Sequence, residues 1–294
     1  MRSKNTGARK ALETVIHLIF LLCGIVAVGF VLVISVYLIL SGLPAIREIG
    51  LWNFLFGKEW ASTAADPKFG ILPFLLTSVY GTAGAILIGV PIGFLTAVFL
   101  SKVAPPKVAA VIRPAVDLLA GIPSIVYGLW GFYTLRPLID MIDGPQGNGY
   151  GILTSVLILT VMIIPYASSL TAEFVMLTPK SLKEAAYSLG ATRTEVIGSV
   201  ILPNARSGIV AAYILALGRA LGETMAVTML IGNTDKIPTS LFDTGQSMAS
   251  LIANQFNEAH GLKLSSLIAI ALVLFLITAI INGIVKIILN KQRA

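Results

Sequence analysis

Cysteine is almost missing: Cys23 is the only one in 294 residues. A single thiol excludes a disulfide scaffold and a thiolate metal cluster. Histidine is nearly as scarce. His17 and His260 lie far apart, and neither has a carboxylate or thiol at ligand spacing, so no metal or other cofactor is assigned. Charge is thin as well, at 12% of residues, about half the share of a soluble globular chain. That argues against two soluble domains and against disorder. No G-x-x-x-x-G-K-[ST] phosphate loop is present, so the chain does not bind ATP by that route. Nor does it gather the His, Asp, Glu or Cys cluster that a membrane enzyme needs; no catalytic residue is assigned. No internal repeat or low-complexity tract is visible.

Apolar residues fill the space these absences leave. They make up 56% of the chain, and mean hydropathy is +0.89. About 20 apolar residues span the hydrocarbon of a bilayer, and six segments qualify: 15–40, 72–100, 114–135, 151–170, 207–232 and 264–288. The spacing predicts an all-α integral membrane protein with six transmembrane helices. Residues 1–14 read as a tail and 15–40 as a retained anchor, too long for a signal peptide core. Residues 41–71 read as an outer loop, 72–288 as the core, and 289–294 as a second tail. Cys23 is expected as a small buried residue of the anchor. Gly89-Val90-Pro91-Ile92-Gly93 and Gly121-Ile122-Pro123-Ser124 interrupt two spans, which a bundle tolerates where freed backbone groups face protein or a wet cavity. With the N-terminus inside, thirteen Lys and Arg fall on inner segments and six on outer ones. The positive-inside rule then puts both termini in the cytoplasm. The net charge of +7 follows from that topology, and nucleic acid is not needed to explain it.

The inner loop 176–204 carries the most information. Ser181 with Glu184 and Thr192 with Glu195 both fit capping boxes, so two short helices are expected. Gly190 should end the first, since it tolerates left-handed angles, and Pro203 should stop the second. Leu182, Ala185, Ala186 and Leu189 would form one small apolar face. A helix pair this short needs something to pack against.

Span 207–232 holds two charges, Arg219 and Glu223. Each costs about 2.5–3.5 kcal/mol at the centre of a membrane helix. Four residues apart, they fall on one face and can pair, while Gly218 and Gly222 allow another helix to approach. A buried ion pair that fixes packing is one reading. The other is a wet path in which the planar fork of Arg219 meets an oxyanion and Glu223 keeps that anion from binding too tightly. Ser124, beside Pro123, would repair backbone or line the path. Asp117 would cap a helix starting behind Pro114, or form a second polar wall of the path.

Glu184-Ala185-Ala186, Gly190, Val200 and Leu202-Pro203 together resemble the EAA loop of ABC importer permeases, with Val where Ile is commoner. Segments 69–74, 89–93, 119–128 and 218–227 are similar to the PstC-type phosphate permeases of the binding-protein-dependent transport system inner membrane component family. The resemblance implies the type I importer permease fold, an N-terminal helix plus a five-helix core. It implies contact of Glu184 with a separate ATP-binding subunit, close approach at Ala185 and Ala186, and a turn at Gly190. It also implies as partners a dimer of ATP-binding subunits, a PstA-like second permease and an extracytoplasmic phosphate-binding protein, with the lipid bilayer around the permease. Arg219, Glu223, Thr224 and Ser124 are the expected path residues; Gly121, Pro123, Gly218 and Gly222 are the expected hinge or packing positions. A PstA-like permease, a permease for molybdate, tungstate or sulfate, and an ion-coupled secondary transporter remain open alternatives. The last lacks the repeated halves usual in that class.

Overall fold

The computed structural model of the protein describes residues 6–144 and 147–291. Of the two expected tails, residues 1–5 and 292–294 lie outside the described residues, and the backbone next to each is helical rather than loose.

The chain opens with α1 (Thr6–Ile49), a 44-residue helix that runs well past the expected anchor. Next come α2 (Leu51–Phe56) and an antiparallel hairpin of β1 (Trp60–Ala61) and β2 (Lys68–Phe69), so the segment 41–71 is built rather than looped. The core follows with α3 (Leu72–Val98), α4 (Pro106–Ala120), α5 (Ser124–Trp130), α6 (Arg136–Asp140) and α7 (Ile152–Met176). The inner loop forms α8 (Lys180–Ser188) and α9 (Arg193–Glu195). The chain ends with α10 (Leu202–Gly222), α11 (Met225–Leu230), α12 (Met248–Gln255) and α13 (Gly261–Lys291). Five helical stretches are long and apolar enough to cross a membrane. A sixth arises if Pro106–Ala120 and Ser124–Asp140, bent by 98°, act as one broken span.

Small residues hold α3 against α7. Gly81, Ala85, Gly89 and Gly93 recur every fourth position and are all buried, the spacing that keeps one helix face in line. A methyl placed on the neighbouring Gly84 would meet Val156 Cγ2 at 2.8 Å. Lipid offers no hydrophobic drive for helices to associate, so close backbone approach does this work instead. Gly89 and Gly93 therefore do not interrupt their span as expected: α3 runs unbroken through Pro91.

The bundle has two distinct ends. At one, Phe54, Trp60, Phe69, Phe74 and Leu251 form a cap under α2, the hairpin and α12. The Trp60 ring meets Phe69 and Phe74 edge-on, and its Nε1 donates to Gln255 Oε1 at 3.2 Å. Met248 N donates to Ser78 Oγ at 2.9 Å, tying α12 to α3. At the other end Val175, Val196, Ile201, Ala205 and Ile209 form a cluster that the inner loop joins.

α1 lies outside this core, and the most apolar part of it is not buried at all. Cys23 is exposed on it, contrary to expectation, because α1 reaches the bundle only near its far end. There Ala45 is buried, and a methyl on Gly42 would meet Ala269 Cα at 3.0 Å.

Candidate translocation site and coupling loop

The fifth expected span is broken where its charges lie. α10 stops at Gly222, and Glu223 is extended with φ −69° and ψ 120°. Helical spacing no longer relates Glu223 to Arg219, and no ion pair joins them among the described residues. The expected pairing is thus corrected by a backbone break. The Arg219 guanidinium instead sits 5.6 Å from the centre of the Tyr166 ring, and its Nε is buried without a partner. Glu223 Oε1 accepts from Ala226 N at 3.4 Å, at the start of α11. Thr224 accepts through its carbonyl from Thr228 N and Thr228 Oγ1.

Glu223 also lines a narrow pocket with the hydroxyls of Thr77, Ser78, Thr82, Ser155 and Ser247, brought in by α3, α7 and the start of α12. Sequence reasoning missed these five. Their hydroxyls read as ordinary helix residues until the packing of α3 on α7 turns them to one place. A methyl added at Gly218 or Gly222 would have nothing within 4 Å. Among the described residues, these glycines bring no other helix close, and that side of α10 is left open.

The second break falls at Gly121-Ile122-Pro123. Ser124 begins α5 but makes no capping bond, so it does not repair the break. Tyr127 does: its hydroxyl donates to the Leu119 carbonyl at 2.8 Å. The pieces that follow the two breaks pack together. A methyl on Gly128 of α5 would meet Ala226 Cα of α11 at 3.0 Å. Ile122 joins Tyr127, Ala226 and Leu230 in one cluster. Asp117 is not a helix cap. It lies inside α4, which starts at Pro106, and accepts from Ser169 Oγ at 2.6 Å.

The inner loop forms both expected helices, with three corrections. α8 begins at Lys180 behind Pro179, with no side-chain cap, so Ser181 is already inside the helix and its capping box is absent. The second box is present: Thr192 N and Oγ1 donate to Glu195 Oε2 at 2.7 and 2.8 Å. Gly190 takes φ +84°, as its position demands. Pro203 does not stop the second helix. The chain widens into a π-helical stretch at Val196–Ile201, and Pro203 then falls in the first turn of α10, where its missing N–H costs nothing. Finally, the apolar face of α8 is divided. Ala186 packs on the body, while Leu189 is 89% exposed, and Leu182 and Tyr187 also face outward. Arg193 Nη2 donates to the Lys102 carbonyl, fixing the loop to the π-helical turn Phe99–Val103 that follows α3.

The elbow is thus fastened to the bundle yet shows apolar side chains outward, a face left for a partner. Residues 89–294 match the family model described as binding-protein-dependent transport system inner membrane component. The chain belongs to that family. The phosphate transport system permease protein PstC of Mesorhizobium japonicum is 41% identical over 285 residues, covering 88% of this chain and 86% of its own. PstC of Haemophilus influenzae is 40% identical, covering 88% and 90%. A solved bacterial alginate ABC transporter, in complex with its alginate-bound periplasmic protein, shares the fold with a TM-score of 0.62 at 15% identity. It covers 96% of each chain. The chain thus has the type I importer permease fold and is a multi-pass membrane protein whose relatives are transport permease subunits.

At the capped end, Asp243 closes the turn 239–243. Thr239 N, Thr239 Oγ1 and Ser240 N all donate to its Oδ2, which holds its carboxyl below the ordinary value. The turn is fastened to the bundle through Ile152 N, which donates to the Asp243 carbonyl at 3.1 Å, and Leu153 N, which donates to that of Leu241 at 2.7 Å.

Proposed function

We propose that this chain is the PstC-like permease subunit of an ATP-driven importer that moves inorganic phosphate into the cytoplasm. The kinship with phosphate permeases along 88% of the chain carries the reading. The partners would be a dimer of ATP-binding subunits, a PstA-like permease and an extracytoplasmic phosphate-binding protein. Both termini lie in the cytoplasm in this reading, with the cap of α2, the hairpin and α12 outside.

The site supports each role. α8 presents Glu184 and Ala185 on its exposed side, and Gly190 turns the chain so that α9 returns to the bundle. A nucleotide-driven movement of the partner pulls on α8 and, through the continuous helix that follows α9, on α10 and its break. Arg219 and Glu223 stand at that break, where Thr224 changes the chain's direction. Ser124 starts the neighbouring half-helix, and Gly121 and Pro123 form the 98° elbow before it. The open side of α10 at Gly218 and Gly222 leaves room for the second permease. Arg219 supplies the positive charge an oxyanion needs within the membrane.

The test is Arg219→Gln in the assembled complex in sealed vesicles. ATP-dependent phosphate uptake falls at least ~tenfold while subunit co-purification stays normal. Normal uptake by the variant sinks the path role, and wild-type uptake that survives ATP removal sinks the importer reading.

A further inference from the structure

Charge alone does not tell phosphate from sulfate, molybdate or tungstate, because Arg accepts all of them. The geometry around Glu223 adds a second criterion. Glu223 is not consumed by Arg219, and among the described residues its one hydrogen bond is the long contact from Ala226 N. The hydroxyls beside it are unequally occupied. Thr77 Oγ1 donates to the Pro73 carbonyl, and Ser78 Oγ donates to that of Phe74 while accepting from Met248 N. Ser155 is 1% exposed, lines the same pocket, and has no partner for its hydroxyl. An orphan buried hydroxyl in a native protein calls for an explanation.

We propose that Ser155 and Glu223 form a selectivity pair for a protonated oxyanion. This rests on the phosphate reading above. A carboxylate only accepts hydrogen bonds, and a hydroxyl can donate one. Hydrogen phosphate carries both a bare oxygen and a P–OH group near neutral pH. Its bare oxygen accepts from Ser155, and its P–OH donates to Glu223. Sulfate, molybdate and tungstate carry no proton there, so their oxygens face the Glu223 carboxylate as acceptor against acceptor. A site built to hydrogen-bond a substrate hydroxyl rejects the analogue lacking it by large factors, since its own polar group is left unpaired. The pocket holds only about 10 Å³ of open space, no more than a water needs. The anion therefore meets this pair only when the break at 222–224 opens, and the closed pocket is the shut stage of the same path.

The experiment uses the purified complex with its sister permease and ATP-binding subunits, held with a non-hydrolysable ATP analogue. The binding protein is left out so that its own selectivity plays no part. Bound radiolabelled phosphate is displaced with arsenate, which is protonated as phosphate is, or with sulfate, which is not. In the wild type, arsenate competes about as well as phosphate, and sulfate at least ~100-fold worse. Glu223→Gln, whose amide can donate, narrows the sulfate gap below ~tenfold; Glu223→Asp keeps it. Ser155→Ala weakens phosphate and arsenate together. Equal competition by sulfate in the wild type overturns the proposal without touching the importer assignment, and so does an unchanged gap in Glu223→Gln. A wild-type complex that, supplied with hydrolysable ATP and its binding protein, takes up no phosphate into sealed vesicles counts against the importer assignment instead.

Discussion

Tyr127 shows how one hydroxyl makes a broken helix tolerable in a bilayer. Ending α4 at Ala120 frees carbonyls that water would satisfy in a soluble protein, and lipid satisfies none. The Tyr127 hydroxyl reaches back eight residues to the Leu119 carbonyl. Tyr127→Phe removes that donor and leaves the ring in place; the Leu119 carbonyl keeps its bond from Ile122 N at 3.2 Å, so the loss is that of one hydrogen bond, about 0.5–1.5 kcal/mol. The expected result is a slightly lower thermal midpoint of the purified complex with unchanged assembly; an unaltered midpoint would mean that the bond from Ile122 N alone satisfies Leu119. Nothing near Tyr127 in sequence marks this role. Ser124 looked the better candidate because it adjoins Pro123, but adjacency along the chain is not adjacency across a 98° elbow. Arg219 and Glu223 were legible because charged residues are rare within apolar runs. Their separation was not, since nothing but Gly222 hints that the helix ends there.

Among elements, the coupling elbow is held by a small number of interactions that can be removed one at a time. Thr192→Ala deletes both bonds of the Thr192 Oγ1, accepted from Glu195 N and donated to Glu195 Oε2, and leaves the bond from Thr192 N, at about 1 kcal/mol for a lost N-cap. The elbow then frays, and stimulation of the partner's ATPase by substrate falls while basal hydrolysis persists; intact stimulation would show that α8 alone carries the movement. The turn 239–243 responds to acid rather than to ATP. The folded Asp243 carboxyl is depressed by three donors, so its contribution is present above the ordinary carboxylate value, near ~4, and is lost as pH falls through the lower folded value. Protection of the amides of residues 239–243, exchange measured against the free-peptide rate at the same pH, therefore stays high at about pH 6 and falls only below about pH 4; Asp243→Asn lowers it at neutral pH. Elements also show where reading a sequence stops working. The apolar runs were legible since the bilayer imposes their length. Gly89-Val90-Pro91-Ile92-Gly93 and Gly121-Ile122-Pro123-Ser124 are nearly alike in composition, yet the first is helix and the second a break. Ile163 and Ala167 of α7 lie against Gly89 and Gly93, whereas Gly121 meets only carbonyls of its own preceding turn. Tertiary contact decides between the two, and composition does not encode it.

For the whole molecule, the decisive question is parity. Five crossings would leave the termini on opposite sides of the membrane, and six would return them to the same side. The bent pair settles which, provided its two flanks lie at opposite ends of the bundle. Its near flank follows Lys102, whose carbonyl is bonded by Arg193 of the coupling loop. Its far flank leads through Gly151, whose N–H donates to the Leu230 carbonyl, into Ile152 and Leu153, which are bonded to the turn 239–243. α7 spans 25 residues between those two ends, from Ile152 beside the turn to Met176 beside the coupling loop. On the proposed topology, a chain that begins at one end of α7 and finishes at the other crosses the membrane, whatever its bend. Replacing Cys23 with Ala leaves a background without thiols, in which Asp66→Cys, Lys107→Cys and Met141→Cys can be labelled singly with an impermeant maleimide. All three positions are exposed. In intact cells Asp66→Cys and Met141→Cys react, and Lys107→Cys reacts only after permeabilisation. If Met141→Cys instead behaves like Lys107→Cys, the bent pair turns back on itself, the crossings number five, and the placement of both termini in the cytoplasm falls with them.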